Sequence, residues 1–452
     1  MTQTMNRIAR FALVALVLAA VGLAQSAPAP APASPLSVKI GGATFTPGGF
    51  LDLTSVFRTT NVGSGIGTSF GSIPFSNTTS GQLSEFRFSS QNSRLSMRVD
   101  SHPGDSQLIG YVEADFLGNA PANLVVGSNS NTLRMRLYWL DARHGDWEVL
   151  AGQSWSLLTP NRKGLSPLPS DIFYTQDMDT NYQVGLTWSR DPQLRVIRHF
   201  GSNWALGVSF ENPEQFIGSS GQVVLPAASF ASQFSTGSNS ATPNLHPDII
   251  SKLAYDSSPD GHGVHLEVAG IERTFRDFNS ATGVKNTLVG GGVSLNGNVE
   301  VAKGFRLIGT SFFSDGGGRY IFGLGPDLIV RADGTLSAVH AASGIGGFEW
   351  KTSPAWLLYG YYGGAYFQRN VAASASGSIG FGFPGSSTGD NRAIQEGTLG
   401  VIHTFWQEPS HGALALITQY SYLVRAPWSA APASPRTAKS NMVWVDLRYT
   451  LP

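Results

Sequence analysis

The sequence has no cysteine, which excludes a disulfide framework, a thiolate metal site and a cysteine nucleophile together. Charge is scarce as well. Only 13% of the 452 residues are charged, and the 30 basic and 30 acidic side chains cancel, so nothing favours nucleic acid as a partner. No apolar run after the first 24 residues is long enough for a membrane helix, which needs about 20 residues. Recognisable catalytic motifs are missing: there is no Gly-x-Ser-x-Gly, His-Glu-x-x-His or Walker-type run, and the nine histidines show no metal-ligand spacing. His262 and His265 read as a chance pair. Neither catalysis nor a cofactor is expected.

What is abundant is glycine, 53 residues, together with 41% hydrophobic residues, a mixture poor for helices and suited to strands and tight turns. Arg7 and Arg10 precede an apolar run over 11–23 that ends in small residues, as in a cleaved secretory signal. Residues 1–24 are therefore assigned to a signal peptide and 25–47 to an Ala/Pro-rich periplasmic spacer and lead-in. The remainder, 48–452, reads as one domain.

Within that domain, polarity alternates with a period of two, and no helical pattern intervenes. Near the end of the chain Val443, Val445, Leu447, Tyr449 and Leu451 share one side, while Trp444, Asp446, Arg448 and Thr450 share the other. A strand greasy on one face and charged on the other fits a wall between lipid and water. The same pattern sets Val289, Val293, Leu295, Val299 and Val301 against Ser294, Asn296, Asn298 and Glu300. It also sets Leu133, Met135, Leu137 and Trp139 against Arg134, Arg136 and Tyr138. Sixteen such stretches, joined alternately by short and long connections, predict an all-β transmembrane antiparallel barrel. The sixth is read over 182–199, with Arg190-Asp191-Pro192 merged into it around a bulge so that the count stays even. Residues 38–45 allow a short extra strand. Phe50, Trp147, Trp188, Trp204, Trp356, Trp406 and Tyr449 are assigned to interfacial girdles.

With the apolar face outward, Arg87, Arg94, Arg98, Arg134 and Arg136 point into the lumen, with Tyr111, Glu113, Asp115 and Tyr138 beside them. These nine residues are the candidate pore lining, where a transverse field would orient and select charged solutes; the alternative is a salt-bridge network that stiffens the wall. The long connection 157–181, carrying Arg162, Lys163, Asp171, Asp177 and Asp179, is the candidate constriction loop, folded into the lumen. Calcium bridging Asp177 and Asp179 stays open.

Several stretches resemble the DcaP-type outer-membrane porins: Gly48-Gly49-Phe50-Leu51-Asp52-Leu53, Gln91-Asn92-Ser93-Arg94-Leu95 with Arg98, Gly110-Tyr111-Val112-Glu113-Ala114-Asp115-Phe116, Leu133-Arg134-Met135-Arg136, Gly152-Gln153-Ser154-Trp155, and Phe210-Glu211-Asn212-Pro213-Glu214. They fall in order over 48–214, and the second half matches in strand rhythm. The resemblance implies a homotrimer of 16-stranded barrels in the bacterial outer membrane, admitting small hydrophilic solutes by passive diffusion and favouring anionic ones such as dicarboxylates. Two features depart from it. The spacer shows no heptads for a coiled coil, and Leu451-Pro452 stand where an aromatic residue is usual, a role given to Tyr449. The expected partners are thus outer-membrane lipid, small solutes and two further copies of the chain. A non-conducting structural or adhesive barrel is the second reading, and a secreted β-sandwich binding module the third.

Overall fold

The computed structural model describes residues 34–119, 131–237 and 242–452; the expected signal segment lies outside them. Sixteen antiparallel strands close into one barrel. In chain order they are β1 (Ala43–Arg58), β2 (Glu85–Ser89 continued by Arg94–Ser101), β3 (Ser106–Asp115), β4 (Arg134–His144), β5 (Trp147–Trp155), β6 (Arg190–Phe200), β7 (Trp204–Glu211) and β8 (Asp248–Ser257). The second half comprises β9 (Val264–Asn279), β10 (Val284–Ala302), β11 (Phe305–Asp315), β12 (His340–Ser353), β13 (Trp356–Phe367), β14 (Asn391–Glu408), β15 (Gly412–Pro427) and β16 (Ala438–Thr450). The ring closes where β1 pairs with β16, from Phe50 opposite Thr450 to Arg58 opposite Met442. Closure leaves no unpaired strand edge, a requirement for backbone immersed in hydrocarbon.

The alternation read from the sequence is the alternation of the wall. Val443, Val445 and Leu447 on β16 are 47%, 40% and 46% exposed, while Trp444 and Asp446 between them are fully buried. Leaving a large apolar side chain in water forgoes roughly 1.5–3 kcal/mol, and such residues recur on strand after strand around the ring. Trp147, Trp204, Trp356 and Trp406 are exposed close to the short turns at one end of the barrel, as in an interfacial girdle. Two residues assigned to that girdle lie inside instead. Phe50 sits under the guanidinium groups of Arg94 and Arg448, at 5.3 and 4.2 Å. Trp188 belongs to an inner loop and stacks on Phe322 at 5.0 Å.

Four local readings are corrected by the backbone. The segment 43–47, placed in the lead-in, is already barrel strand, and Val38–Ile40 forms a hairpin with it. Residues 182–189 are loop, so Arg190 begins β6; Pro192 stands opposite Gln153 near the strand start, its ring outward, where a missing N–H is tolerated. The count is even with no bulge at that point. On β4 the register shifts, with Met135 opposite Ala114 but Leu137 opposite Glu113. Arg136 is the extra residue of a bulge, which reverses the side chains beyond it: Leu137 and Trp139 turn inward, while Tyr138 points out and is 45% exposed. Tyr138 is therefore not pore-lining. Its hydroxyl donates to Gln153 on the outer face, at 3.1 Å.

Candidate lumen constriction

The connection between β5 and β6, 156–189, folds across the inside of the barrel. Its backbone carries unpaired N–H groups into the interior, and these are satisfied by side chains from the far wall. Asn161 N donates to Glu267 of β9 at 3.2 Å, Gly164 N to Asp256 of β8 at 2.9 Å, and Gln176 N to the Tyr361 hydroxyl of β13 at 3.1 Å. Met178 N reaches Gln419 of β15 at 2.9 Å, and Val184 N reaches Glu396 of β14 at 3.0 Å. Lys252 of β8, fully buried, donates to the Thr159 carbonyl, to Asn161 and to Glu267, at 2.7, 3.0 and 3.0 Å. Where Val184 and Gly185 of the loop touch the wall, the wall is glycine. A Cβ on Gly363 of β13 would lie 1.9 Å from the Val184 carbonyl oxygen, and one on Gly185 2.2 Å from that of Gly344.

The charges expected on this loop are mostly consumed in fixing it. Arg162 makes a forked ion pair with Glu349 of β12, at 2.8 and 2.6 Å, and lies over the Phe173 ring. Asp179 accepts the backbone N–H of Thr68 and Asn181, and Asp177 accepts from Gln419. Burial, then the carboxylates of Glu396 and Asp179, push Asp177 well above the usual carboxylate range. The Asp171 side chain is raised by burial, and its carbonyl accepts Arg162 N at 2.6 Å. Lys163 alone among the five is exposed and makes no ion pair among the described residues.

Facing the loop, β2, β3, β4 and the start of β6 gather four arginines and two carboxylates. Arg134 grips Asp115 with two bonds, at 3.0 and 2.6 Å. Arg136 donates to Glu113 at 2.6 Å, to Asp115 at 3.0 Å and to the Tyr182 hydroxyl at 3.1 Å. Tyr111 donates to Glu113 at 3.2 Å and stacks on Trp139. Arg94 borders this group from β2. Arg98 and Arg87 stand apart, pairing along their own strand with Asp100 and Glu85, at 2.7 and 3.1 Å. Of the residues read from the sequence, Tyr111, Glu113, Asp115, Arg134 and Arg136 thus come together, with Arg134 and Arg136 neutralised in a wall network.

Sequence reading did not find Arg190, Tyr174, Tyr182 and Trp188. Arg190 lies between the rings of Trp155 and Trp188, at 5.4 and 5.8 Å, beside Arg136. Tyr182, Trp188 and Arg190 fall in the stretch read as continuous strand and Tyr174 in the loop before it, and the signal for them was the aromatic density of the segment leading into Arg190-Asp191-Pro192.

No protein-family model matches the chain, and no curated protein matches it by sequence. Solved structures do match. The outer membrane channel DcaP of Acinetobacter baumannii superposes with a TM-score of 0.66 at 16% identity, over 91% of this chain and 98% of that one. The fold is that of DcaP. The anion-selective porin from Comamonas acidovorans follows at a TM-score of 0.51 and 12% identity, over 90% of this chain and all of that one. Likeness to DcaP extends through the second half of the barrel, where the sequence motifs give out. At 16% identity it fixes the DcaP architecture and leaves the solute to this chain's own side chains.

Proposed function

We propose that the chain is exported by its N-terminal signal and inserts in the bacterial outer membrane. There it serves as a passive diffusion channel for small hydrophilic solutes, favours anionic ones such as dicarboxylates, and assembles as a homotrimer. The carrying observation is the charge count at the constriction. Arg94, Arg134, Arg136 and Arg190 surround Glu113 and Asp115, so the formal balance of this six-residue cluster is positive by two. A fixed excess of one sign in a narrow, low-dielectric passage raises the local concentration of the opposite ion. Support comes also from the inward loop at the β5–β6 connection and from the shared architecture with DcaP.

The test is reconstitution of detergent-extracted protein into planar bilayers under a salt gradient. Conductance in threefold steps with a reversal potential of the anion-selective sign is expected. A cation-selective potential would reject the charge argument. The second reading, a non-conducting barrel, draws on the apolar loop residues that bury one another in a single cluster, among them Phe70, Phe230, Phe234, Leu328 and Phe381; folded trimers with no measurable current would establish it in place of the first.

A further inference from the structure

Of the four arginines at the constriction, two are saturated and two are not. Arg134 and Arg136 use Asp115 and Glu113 fully. Arg94 and Arg190 make no ion pair and no hydrogen bond among the described residues, and Arg94 Nε and Arg190 Nη1 are buried without an acceptor. Their neighbours are ring faces: Phe50 under Arg94, at 5.3 Å, and Trp155 and Trp188 about Arg190. A ring face attracts a cation but offers no lone pair in the guanidinium plane. A guanidinium nitrogen buried in this way is costly unless an acceptor completes it.

A third unfilled donor belongs to the loop. Tyr182 is held at φ 65°, a region that a bulky residue adopts only when its surroundings enforce it. Its hydroxyl accepts from Arg136 Nη2 at 3.1 Å, so its own proton is left to donate, and no acceptor for it stands within bonding distance among the described residues. The charges that bear on this hydroxyl are Arg136, Arg94 and Arg190.

We infer that Arg94, Arg190 and the Tyr182 hydroxyl form an oxyanion-binding subsite at which the channel's preference among anions is exerted. The inference rests on the channel reading above and specifies where its selectivity resides. Donors without acceptors select a ligand that is all acceptor, a carboxylate or a tetrahedral oxyanion, over a halide that cannot use the fork. The subsite has a built-in pH response. Burial pushes the Tyr182 phenol up, but Arg136, Arg94 and Arg190 outweigh it and leave it at about 8. Above that pH the phenolate supplies the missing acceptor itself and competes with the ligand. The other titratable or charged groups facing it are Glu113 and Asp115 of β3, Arg134 of β4 and Tyr174 of the loop.

The experiment measures inhibition of chloride current by sodium acetate and by sodium sulfate in bilayers. In parallel, it follows the tryptophan fluorescence of the detergent-solubilised protein on titration with the same two salts, because Trp155 and Trp188 flank Arg190. Arg94→Gln and Arg190→Gln are each expected to weaken oxyanion binding about 10-fold, the loss of one charge-assisted hydrogen bond. Arg190→Lys should keep the reversal potential and still weaken binding. In the unaltered protein binding should fall between pH 7 and 9, and Tyr182→Phe should bind more weakly with a flat profile over that range. Acetate alone binding assigns the subsite to carboxylates, sulfate alone to tetrahedral anions. Unchanged oxyanion binding in both Gln variants, in protein that still runs as a folded heat-modifiable species, overturns the subsite while leaving an anion-selective channel intact. A channel lacking anion preference, in which the fluorescence titration still depends on Arg190, overturns the transport reading and not the subsite.

Discussion

Arg162 and Glu349 meet across the inside of the barrel in a two-pronged ion pair, at 2.8 and 2.6 Å, although 187 residues separate them. One stands on the inward loop and the other on β12, so the pair bolts the loop to the wall opposite its origin.

Removing one partner of such a largely buried pair leaves the other uncompensated and costs roughly 3–5 kcal/mol. Arg162→Ala and Glu349→Gln should both release the 160–175 segment. Larger, noisier single-channel conductance and rapid tryptic cleavage after Lys163 are the expected outcomes; protein as resistant and as quiet as the parent would show that the pair does not hold the loop.

Asp327 ties two outer loops to the barrel. Its carboxylate pairs with Arg273 of β9 at 2.9 Å and accepts the backbone N–H of Phe216 at 3.2 Å and of Arg319 at 2.8 Å. Asp327→Ala leaves two buried N–H groups without an acceptor and takes one of two carboxylates from Arg273, which keeps Asp248 at 2.9 Å, a loss of several kcal/mol on the scale of roughly 1–3 for each unsatisfied donor. The temperature at which the folded band converts to the unfolded one on gels should drop well below that of the parent. Asp327→Asn, which keeps an acceptor oxygen, should fall between the two.

Gly363 lets the loop lie against β13. An alanine there would drive its Cβ into the Val184 carbonyl and push the loop off the wall toward the lumen axis. Gly363→Ala should therefore reduce conductance, whereas Gly346→Ala on the neighbouring strand, whose Cβ would meet nothing within 4 Å, should leave it unchanged. Equal conductance in the two variants would separate the loop position from the glycine.

The Asp177 contact should respond to pH. Its pKa is raised in the folded chain by burial and by Glu396 and Asp179, so the fold binds this proton more tightly than the unfolded chain does. The contribution is complete below the ordinary carboxylate pKa and is lost as pH rises through the raised folded value. Protease protection of the loop should accordingly weaken with rising pH, and Asp177→Asn should reduce that dependence, Asp179 being raised by burial as well. A loop equally protected across the range in both proteins would exclude Asp177 as its titrating anchor.

Much of the barrel was legible because a strand's period of two is a local property. Val443, Val445 and Leu447 announce a lipid-facing side without reference to any other strand. Local rules failed where one residue resets the period. Nothing in Leu133-Arg134-Met135-Arg136 marks Arg136 as a bulge, so Tyr138 was placed on the wrong face. The segment 182–189 alternates like a strand, yet its Val184 and Leu186 are buried inside the barrel rather than in its wall.

The sequence by itself determined the outward belt and the arginine-rich side of the lumen, since each follows from residue type and spacing along one stretch of chain, whereas sixteen strands followed only with the added constraint that a closed barrel has an even number. Tertiary structure alone decided which arginines are neutralised, because ion pairing depends on distances between strands. It brought Arg162 to Glu349, spent both carboxylates on Arg134 and Arg136, and left Arg94 and Arg190 over ring faces with no ion-pair partner among the described residues.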